Sequence, residues 1–539
     1  MITIDGQGLT LAELEAVARD RRPVGLHPEA AGRVRRSRAL LEGLLRSDRP
    51  IYGVNTGFGR LADVRISPAD QRALQRNMVR SHAAGVGRRL PAAEVRAIML
   101  LRANTLARGQ SGCRLVVVER LLDLLNHGVH PEVPEIGSVG ASGDLAPLSH
   151  VALALTGEGR AELDGELGNA AEMLRAIGSE PLDLSEKEAV ALINGTQATT
   201  GIGALALCRF ARALDTADVA GAMSLEGLKG TPDPFRSEIH SARPHPGQIA
   251  AARRLWALLR GSGIRESHRT GDPRVQDAYS LRCMPQVHGA AREAYGYAQR
   301  VMTTEANSTT DNPLVLPRAA VPDRAGRAAG GPAAGIVLSG GNFHAQVVAQ
   351  CLDLVAIAAA DMASISERRI DRLLNPDLSG LPAFLTTRPG IRSGLMIAQV
   401  TAADALSEMR VLATPASIDS VSTSASQEDH VSMGMAAARK VRRSVELLEV
   451  VLAAEFLCAA QAVEFHRPLR AGDGVERALA SVRAHVPRVT DDRPLGTDLE
   501  ALAVLIRAGE LSQAGVANDV DAAGSDAADA EPEGIDHQP

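Results

Sequence analysis

Apolar residues recur at three- and four-residue steps through much of the second half of the chain. Val348, Leu352, Val355, Ala359, Met362 and Ile365 form one series; Val441, Val445, Leu448 and Leu452 form another. That spacing puts each series on one face of a helix. The stretches are long enough for several turns packed as a bundle. In the first half, Pro91 to Gly109 and Leu115 to Asn126 read as helices, the second stopped by Gly128. Thr10 and Glu13 form a capping box ahead of an amphipathic helix, and Met1 to Ile4 reads as a short strand.

Three segments break this pattern. Residues 50–60, PIYGVNTGFGR, are rich in Gly and read as a loop. Residues 129–147 hold three Pro and three Gly and read as a second loop. Residues 318–334 are a low-complexity insert between LVL and IVL, read as the tip of a long hairpin. The class is mainly α, with a little β near the N-terminus and around the insert. The pattern divides the chain into an N-terminal part (1–205), a long-helix part carrying the insert (206–510) and an acidic tail (511–539) expected to be disordered. No internal repeat is visible.

Composition narrows the function classes. The chain has 539 residues, 45% of them apolar and 23% charged, which is ordinary globular usage. No unbroken apolar run approaches the roughly 18–20 residues of a membrane span. The opening, MITIDGQGLT, has neither a basic nor an apolar leader region, so no membrane partner and no secretory signal are expected. The net charge of −6 belongs to the tail: seven acidic residues and no Lys or Arg lie from Asp519 onward. The remaining body is close to neutral, without the basic excess of a nucleic-acid binder. Five scattered cysteines in no C-x-x-C spacing read as buried, inert thiols in a reducing cytoplasm.

Some apparent motifs carry little. Gly201 to Ala206 fits a loose dinucleotide fingerprint, but no apolar strand precedes it. His127 with His130, and His240 with His245, lack a third ligand, so no metal is expected. No G-x-S-x-G supports a serine hydrolase.

The segment Gly137-Ser-Val-Gly-Ala-Ser-Gly-Asp-Leu-Ala-Pro-Leu-Ser-His150 is different. An isolated Ala-Ser-Gly is usually a turn. Here Gly143 lacks a side chain, so its nitrogen can approach the carbonyl of Ala141 closely. A strained, buried turn could press them together. Ring closure with loss of water, then dehydration of Ser142, would leave an alkene conjugated to an imidazolone, an electrophile that ordinary side chains cannot supply.

Ala141-Ser142-Gly143-Asp144-Leu145, with Pro147, Leu148 and His150, resembles the signature of the aromatic amino acid ammonia-lyases. Other segments match that family in the same order. They are Tyr52 to Gly59, Leu192 to Thr196, Val275 to Cys283, Thr310 to Pro313 and Gly340 to His344. The resemblance runs from about residue 5 to 510. It implies a long-helix bundle of the fumarase/aspartase-like type with a smaller N-terminal α+β part carrying the electrophile loop. It also implies a 4-methylideneimidazol-5-one made from Ala141, Ser142 and Gly143, no external cofactor, and a homotetramer with sites shared between chains.

Roles carried over by resemblance follow. Tyr279 is similar to the base that removes the β-proton, and Tyr52 to a residue beside the electrophile and the substrate amine. A phenol serves as a base only where a nearby cation or electropositive loop favours its ionised form. Arg282 corresponds to the residue that holds the substrate carboxylate. Asn194 and Gln276 correspond to hydrogen-bond donors, Asn194 to the ring oxygen. Phe343 would pack beside the electrophile, and Asp144 would orient the loop. Taken singly, each has an ordinary reading: a Tyr packs, an Arg is a solvated charge, and Asn-Gly is a turn.

Ser81 to Gly87 and Gln427 to Met433 resemble the histidine-directed branch. Relatives acting on phenylalanine or tyrosine usually carry Gln where Glu428 stands. An imidazole has two nitrogens that need partners when buried, and Glu428 and His82 can supply them. The resemblance therefore implies L-histidine as the small-molecule substrate. His82 discriminates poorly, because tyrosine-directed relatives also use a His there. Three departures weaken the substrate assignment slightly: the long insert, Ser407-Glu408-Met409-Arg410, and Ser426 before Gln427. A tyrosine- or phenylalanine-directed lyase or 2,3-aminomutase, and a silent homologue, stay open at this point.

Overall fold

The computed structural model describes residues 1–46, 50–317 and 335–514. The insert tip and the tail from residue 515 lie outside the described residues. Residues 511–514, expected in the tail, close a short helix, Glu510–Ala514, with Leu511 buried.

The chain forms two compact units. The first comprises residues 1–214, 287–364 and 402–451; the second comprises 215–286, 365–401 and 452–539. The division differs from the linear one read from sequence, because it falls within long helices and each unit draws on three separate segments. All described strands lie in the first unit; the described part of the second is helical.

Two of the long helices are those the periodicity predicts, whereas Gln197–Gly227 and Met284–Ala306 were marked by neither series. Gln346–Leu374 carries the first apolar series and Gly434–Glu464 the second, and every member of both is buried. Thr10 and Glu13 exchange both capping-box bonds at the start of Leu11–Ala18. Helix Leu115–His127 stops at Gly128, whose left-handed φ of 72° lets its N–H reach the Leu124 carbonyl.

Two expectations change. Helix Gln346–Leu374 contains an 18-residue window of mean hydropathy 1.6, enough in length and composition for a membrane crossing, and 72% of that window is buried inside the chain. Counting unbroken apolar runs missed it because isolated polar residues interrupt the run. Its burial makes it a core helix. Second, the 129–147 segment is more than loop. His130–Pro131 pairs with Arg160–Leu163, and Pro134–Ile136 pairs with Val86–Arg89, both antiparallel. Helix Leu145–Leu155 then starts inside the segment. Two-residue and three-residue strands carry too little alternation to be read from sequence.

The decoys resolve simply. Gly201 to Ala206 lies within helix Gln197–Gly227, not in a loop. No group of three metal-binding side chains occurs among the described residues. The five cysteines are unpaired, and burial pushes the thiols of Cys113, Cys208 and Cys351 up to about 12.

Candidate active site

The Gly-rich loop is anchored by its apolar residues. Ile51 and Val54 are buried in a cluster with Leu41 and Val315, and Leu40, Leu44 and Val337 pack against it. Tyr52, between these anchors, is held half-buried with its ring stacked on Phe58 at 5.5 Å. Its hydroxyl accepts from the Gly59 N–H at 3.1 Å. Burial raises the Tyr52 pKa above its usual value, and the Glu428 charge adds to this. The phenol is therefore protonated at neutral pH.

The Ala141-Ser142-Gly143 loop is gripped by three groups of residues, the second and third of them neighbours in one stretch, 428–433. From one, Asn194 Nδ2 donates to the Ser142 carbonyl at 2.7 Å. Gly195 forms a bridge with Gly143, and the Gly195 carbonyl accepts from the Asp144 N–H at 2.7 Å. From the second, the Met433 N–H donates to the Val139 carbonyl at 2.9 Å, and Ser432 Oγ lies 3.4 Å from the Gly140 carbonyl. From the third, Glu428 Oε1 accepts from Ser142 Oγ at 2.6 Å, while its Oε2 accepts from Thr423 Oγ1 at 2.7 Å.

Glycine is required at Gly143 for two reasons. Its φ is +75°, and a Cβ there would lie 2.3 Å from the Gly195 carbonyl oxygen. The backbone nitrogen is thus held in a conformation an L-residue resists. Asp144 anchors the exit. Its carboxylate accepts from the Thr199 N–H and hydroxyl at 2.7 and 2.9 Å, and from Ser138 Oγ at 3.1 Å. Full burial raises its pKa, opposed by the Thr199 and Ser138 bonds. Thr199 lies in the first turn of helix Gln197–Gly227, where a negative charge also meets the positive end of the helix dipole.

These elements line a cavity of about 450 Å³. Tyr52, Ala141, Ser142, Asn194, Phe343 and Glu428 all face it, as the motif pattern predicts. Ser142 is only 8% exposed. His82 is not among the lining residues; it stands one ring back, edge-on to Phe58 at 5.6 Å, with Nδ1 2.8 Å from the Met78 carbonyl. Several lining residues were not singled out by sequence. Asp63, Asn312, His344 and His430 are among them, with the two imidazoles stacked parallel at 5.8 Å. Asn312 and His344 sit inside quoted motif segments, so the signal was present. His430 likewise sits inside the Gln427 to Met433 segment, whereas Asp63 had no signal beyond proximity to Tyr52.

Gln276, Tyr279 and Arg282 belong to the second unit. Tyr279 and Arg282 share one helical turn, with the guanidinium 4.5 Å from the centre of the phenol ring. Arg282 Nε is buried without a hydrogen-bond partner. The segment is tethered by Asp277, whose carboxylate accepts from the Thr231 N–H at 2.7 Å. Gln276 is exposed, and Tyr279 is 70% exposed.

Chemically, the first unit offers a reactive-loop geometry, a carboxylate and an amide donor around one cavity. The second offers a phenol beside a cation. Known proteins match this combination. Residues 9–484 match the family described as aromatic amino acid lyase. A histidine ammonia-lyase from Anaeromyxobacter sp. (strain K) is 52% identical over 95% of this chain and 99% of its own length. One from Myxococcus xanthus is 50% identical over 95% of this chain and 97% of its own. Among solved structures, histidine ammonia-lyase from Trypanosoma cruzi superposes with a TM-score of 0.86 at 40% identity, covering 95% of this chain and 94% of that one. Tyrosine aminomutase from Streptomyces globisporus gives 0.88 at 38%, covering 95% and 98%. With the family match spanning most of the sequence and these relatives aligned nearly end to end, the chain belongs to the aromatic amino acid lyase family.

Proposed function

We propose that the chain is a histidine ammonia-lyase, converting L-histidine to trans-urocanate and ammonia. The observation that carries the reading is Glu428, a carboxylate facing the cavity 2.6 Å from Ser142 Oγ. An imidazole N–H in this cavity finds an acceptor there. Once Ser142 Oγ is lost as water, a benzene ring would leave Glu428 Oε1 without a donor, at about 1–3 kcal/mol, while Oε2 keeps Thr423. The histidine ammonia-lyases at about half identity over nearly the full chain support the same substrate.

The fit of residues 141–143 to a 4-methylideneimidazol-5-one rests on the held loop. Gly143 N would bond to the Ala141 carbonyl carbon, whose oxygen leaves as water with the two amide protons of Ser142 and Gly143. Ser142 would then lose its α-proton and hydroxyl as a second water. The Ser142 carbonyl becomes the ring oxygen, and Asn194 Nδ2 already donates to it. When formed, the group supplies an electrophilic alkene that makes ammonia a feasible leaving group.

The chain's own residues supply the rest. Arg282 would pair with the substrate carboxylate, and Gln276 would donate a further hydrogen bond. Tyr279 would take the β-proton, with the Arg282 guanidinium 4.5 Å from the centre of its ring. Tyr52, a neutral phenol, would donate to groups near the substrate amine. Phe343 would flank the alkene, and His82 would act through Phe58 as a second layer of the imidazole pocket. The exposure of Tyr279 supports a homotetramer in which each site draws on several chains. The five unpaired cysteines support a reducing, cytoplasmic setting.

Purified protein incubated separately with L-histidine, L-tyrosine and L-phenylalanine tests the reading. Ammonia and a conjugated ultraviolet-absorbing product are expected from histidine alone. Turnover of tyrosine or phenylalanine, or a β-amino product, would overturn the substrate assignment in favour of the aminomutase-like relatives.

A further inference from the structure

Helix Ala92–Ala107 is buried on every side from Glu94 to Ala107. Arg102 sits in its middle, 0% exposed. A buried guanidinium ordinarily faces a carboxylate, because an uncompensated charge is costly to desolvate. Among the described residues Arg102 makes no ion pair. Its Nη1 donates to the Ala191 carbonyl at 2.8 Å, and its Nη2 to the Asn194 carbonyl at 2.9 Å and to Gln197 Oε1. Burial lowers its pKa to about 10, with Asp311 and Asp144 opposing, so it stays charged at neutral pH.

The three acceptors belong to one continuous stretch. Ala191 is near the end of helix Glu188–Ile193, Asn194 follows it, and Gln197 opens helix Gln197–Gly227. Gln197 is tied in turn to Thr105 Oγ1 at 3.0 Å and Thr310 Oγ1 at 2.6 Å. A rigid fork with several donors can brace such a turn; a single-point donor cannot. Gly195 is shaped by the same group. Its φ is +150°, and a Cβ there would lie 2.2 Å from Arg102 Nη2. This accounts for the glycine of the Asn-Gly-Thr motif, which the substrate chemistry leaves unexplained. From the opposite side, this Asn194–Gly195 stretch holds Ser142, Gly143 and Asp144.

We propose that Arg102 is a positioning residue that braces the Asn194–Gly195 turn against the 141–143 loop, so that the loop can close into its electrophile and Asn194 can hold the ring oxygen. This rests on the reading of 141–143 as a self-cyclising loop.

The test is full-length Arg102→Gln and Arg102→Lys beside wild type and a stability control, Leu121→Ala, in a different buried helix. Peptide mass across 141–143 reads the two lost waters, thermal melting reads the fold, and kcat and KM read the site. At matched melting temperature, both Arg102 variants are expected to retain water in most chains. Their kcat should fall by at least about tenfold per matured site, with KM little changed. Leu121→Ala should mature fully. If an Arg102 variant does not fold, Gly195→Ala, which displaces the guanidinium from the other side, should give the same retained water. Complete water loss with unchanged kcat, or water retention that merely follows melting temperature across all variants, would overturn the proposal. Wild type separates the two claims: without water loss there, the electrophile reading itself fails. With water loss but no histidine turnover, only the substrate fails and the Arg102 comparison still stands.

Discussion

The loop at 137–144 and the segment at 275–283 are both proposed to carry chemistry, and they are held in opposite ways. The loop is locked by buried and part-buried hydrogen bonds from two remote stretches, 194–195 and 428–433, and Ser142 is 8% exposed. The segment is tethered at Asp277 and, at 3.4 Å, through the Ser280 carbonyl to Arg369, while Val275 is 97% exposed and Tyr279 is 70% exposed. The difference teaches a division of labour. A group that must be driven into a strained ring needs a preorganised surround. A proton-transfer residue needs only correct placement when substrate is bound.

The largest break in this comparison is Ser142→Ala. It is expected to abolish histidine turnover while leaving the melting curve nearly unchanged, read by ammonia release and calorimetry. Next comes Tyr279→Phe, which should lower kcat by about 10²–10⁴-fold. The 141–143 peptide should still lose both waters in that variant, since the loop's hydrogen-bond partners Asn194, Gly195, Glu428, Ser432 and Met433 all lie in the first unit; retained water would erase the distinction. Glu428→Gln should cost about 1–3 kcal/mol in kcat/KM for histidine. Competition kinetics should also show phenylalanine gaining relative to histidine.

The smallest effect is acid sensitivity in the first unit. Burial first, and Arg96 second, pull the His130 pKa from 6.5 to about 4. The unfolded chain takes up the proton near 6.5, the folded chain only near 4. Stability is therefore present above pH 6.5 and lost as pH falls toward 4, by at most about 1.4 kcal/mol per pH unit. Melting temperature against pH should show this decline, and His130→Asn should flatten it.

Much of this was legible in sequence, for identifiable reasons. The 348–365 and 441–452 series are long and strictly periodic, so their helices and buried faces follow directly. The capping box at Thr10 and the stop at Gly128 are local chemistry with fixed offsets. The loop residues Ser142 and Gly143, with Asn194 and Glu428, were found because they sit in ordered motifs. Arg102 was not. It lies in a helix without a polar face, so no periodicity marks it, and two of its three partners are main-chain carbonyls about 90 residues away. Backbone acceptors leave no trace in side-chain identity. The short strands at His130 and Pro134 were missed because pairing over two or three residues is decided by the partner strand.

The grips on the loop span much of the chain: Ser142 meets Glu428 across 286 positions, and Ser432 meets Gly140 across 292. A ribosome must therefore add almost three hundred residues after Ser142 before the loop has its full surround. During synthesis the tripeptide is ordinary peptide, harmless to neighbouring amines and thiols. On the proposed reading the alkene would arise only once those partners are in place, so completion of folding would act as the safety catch on a reactive group.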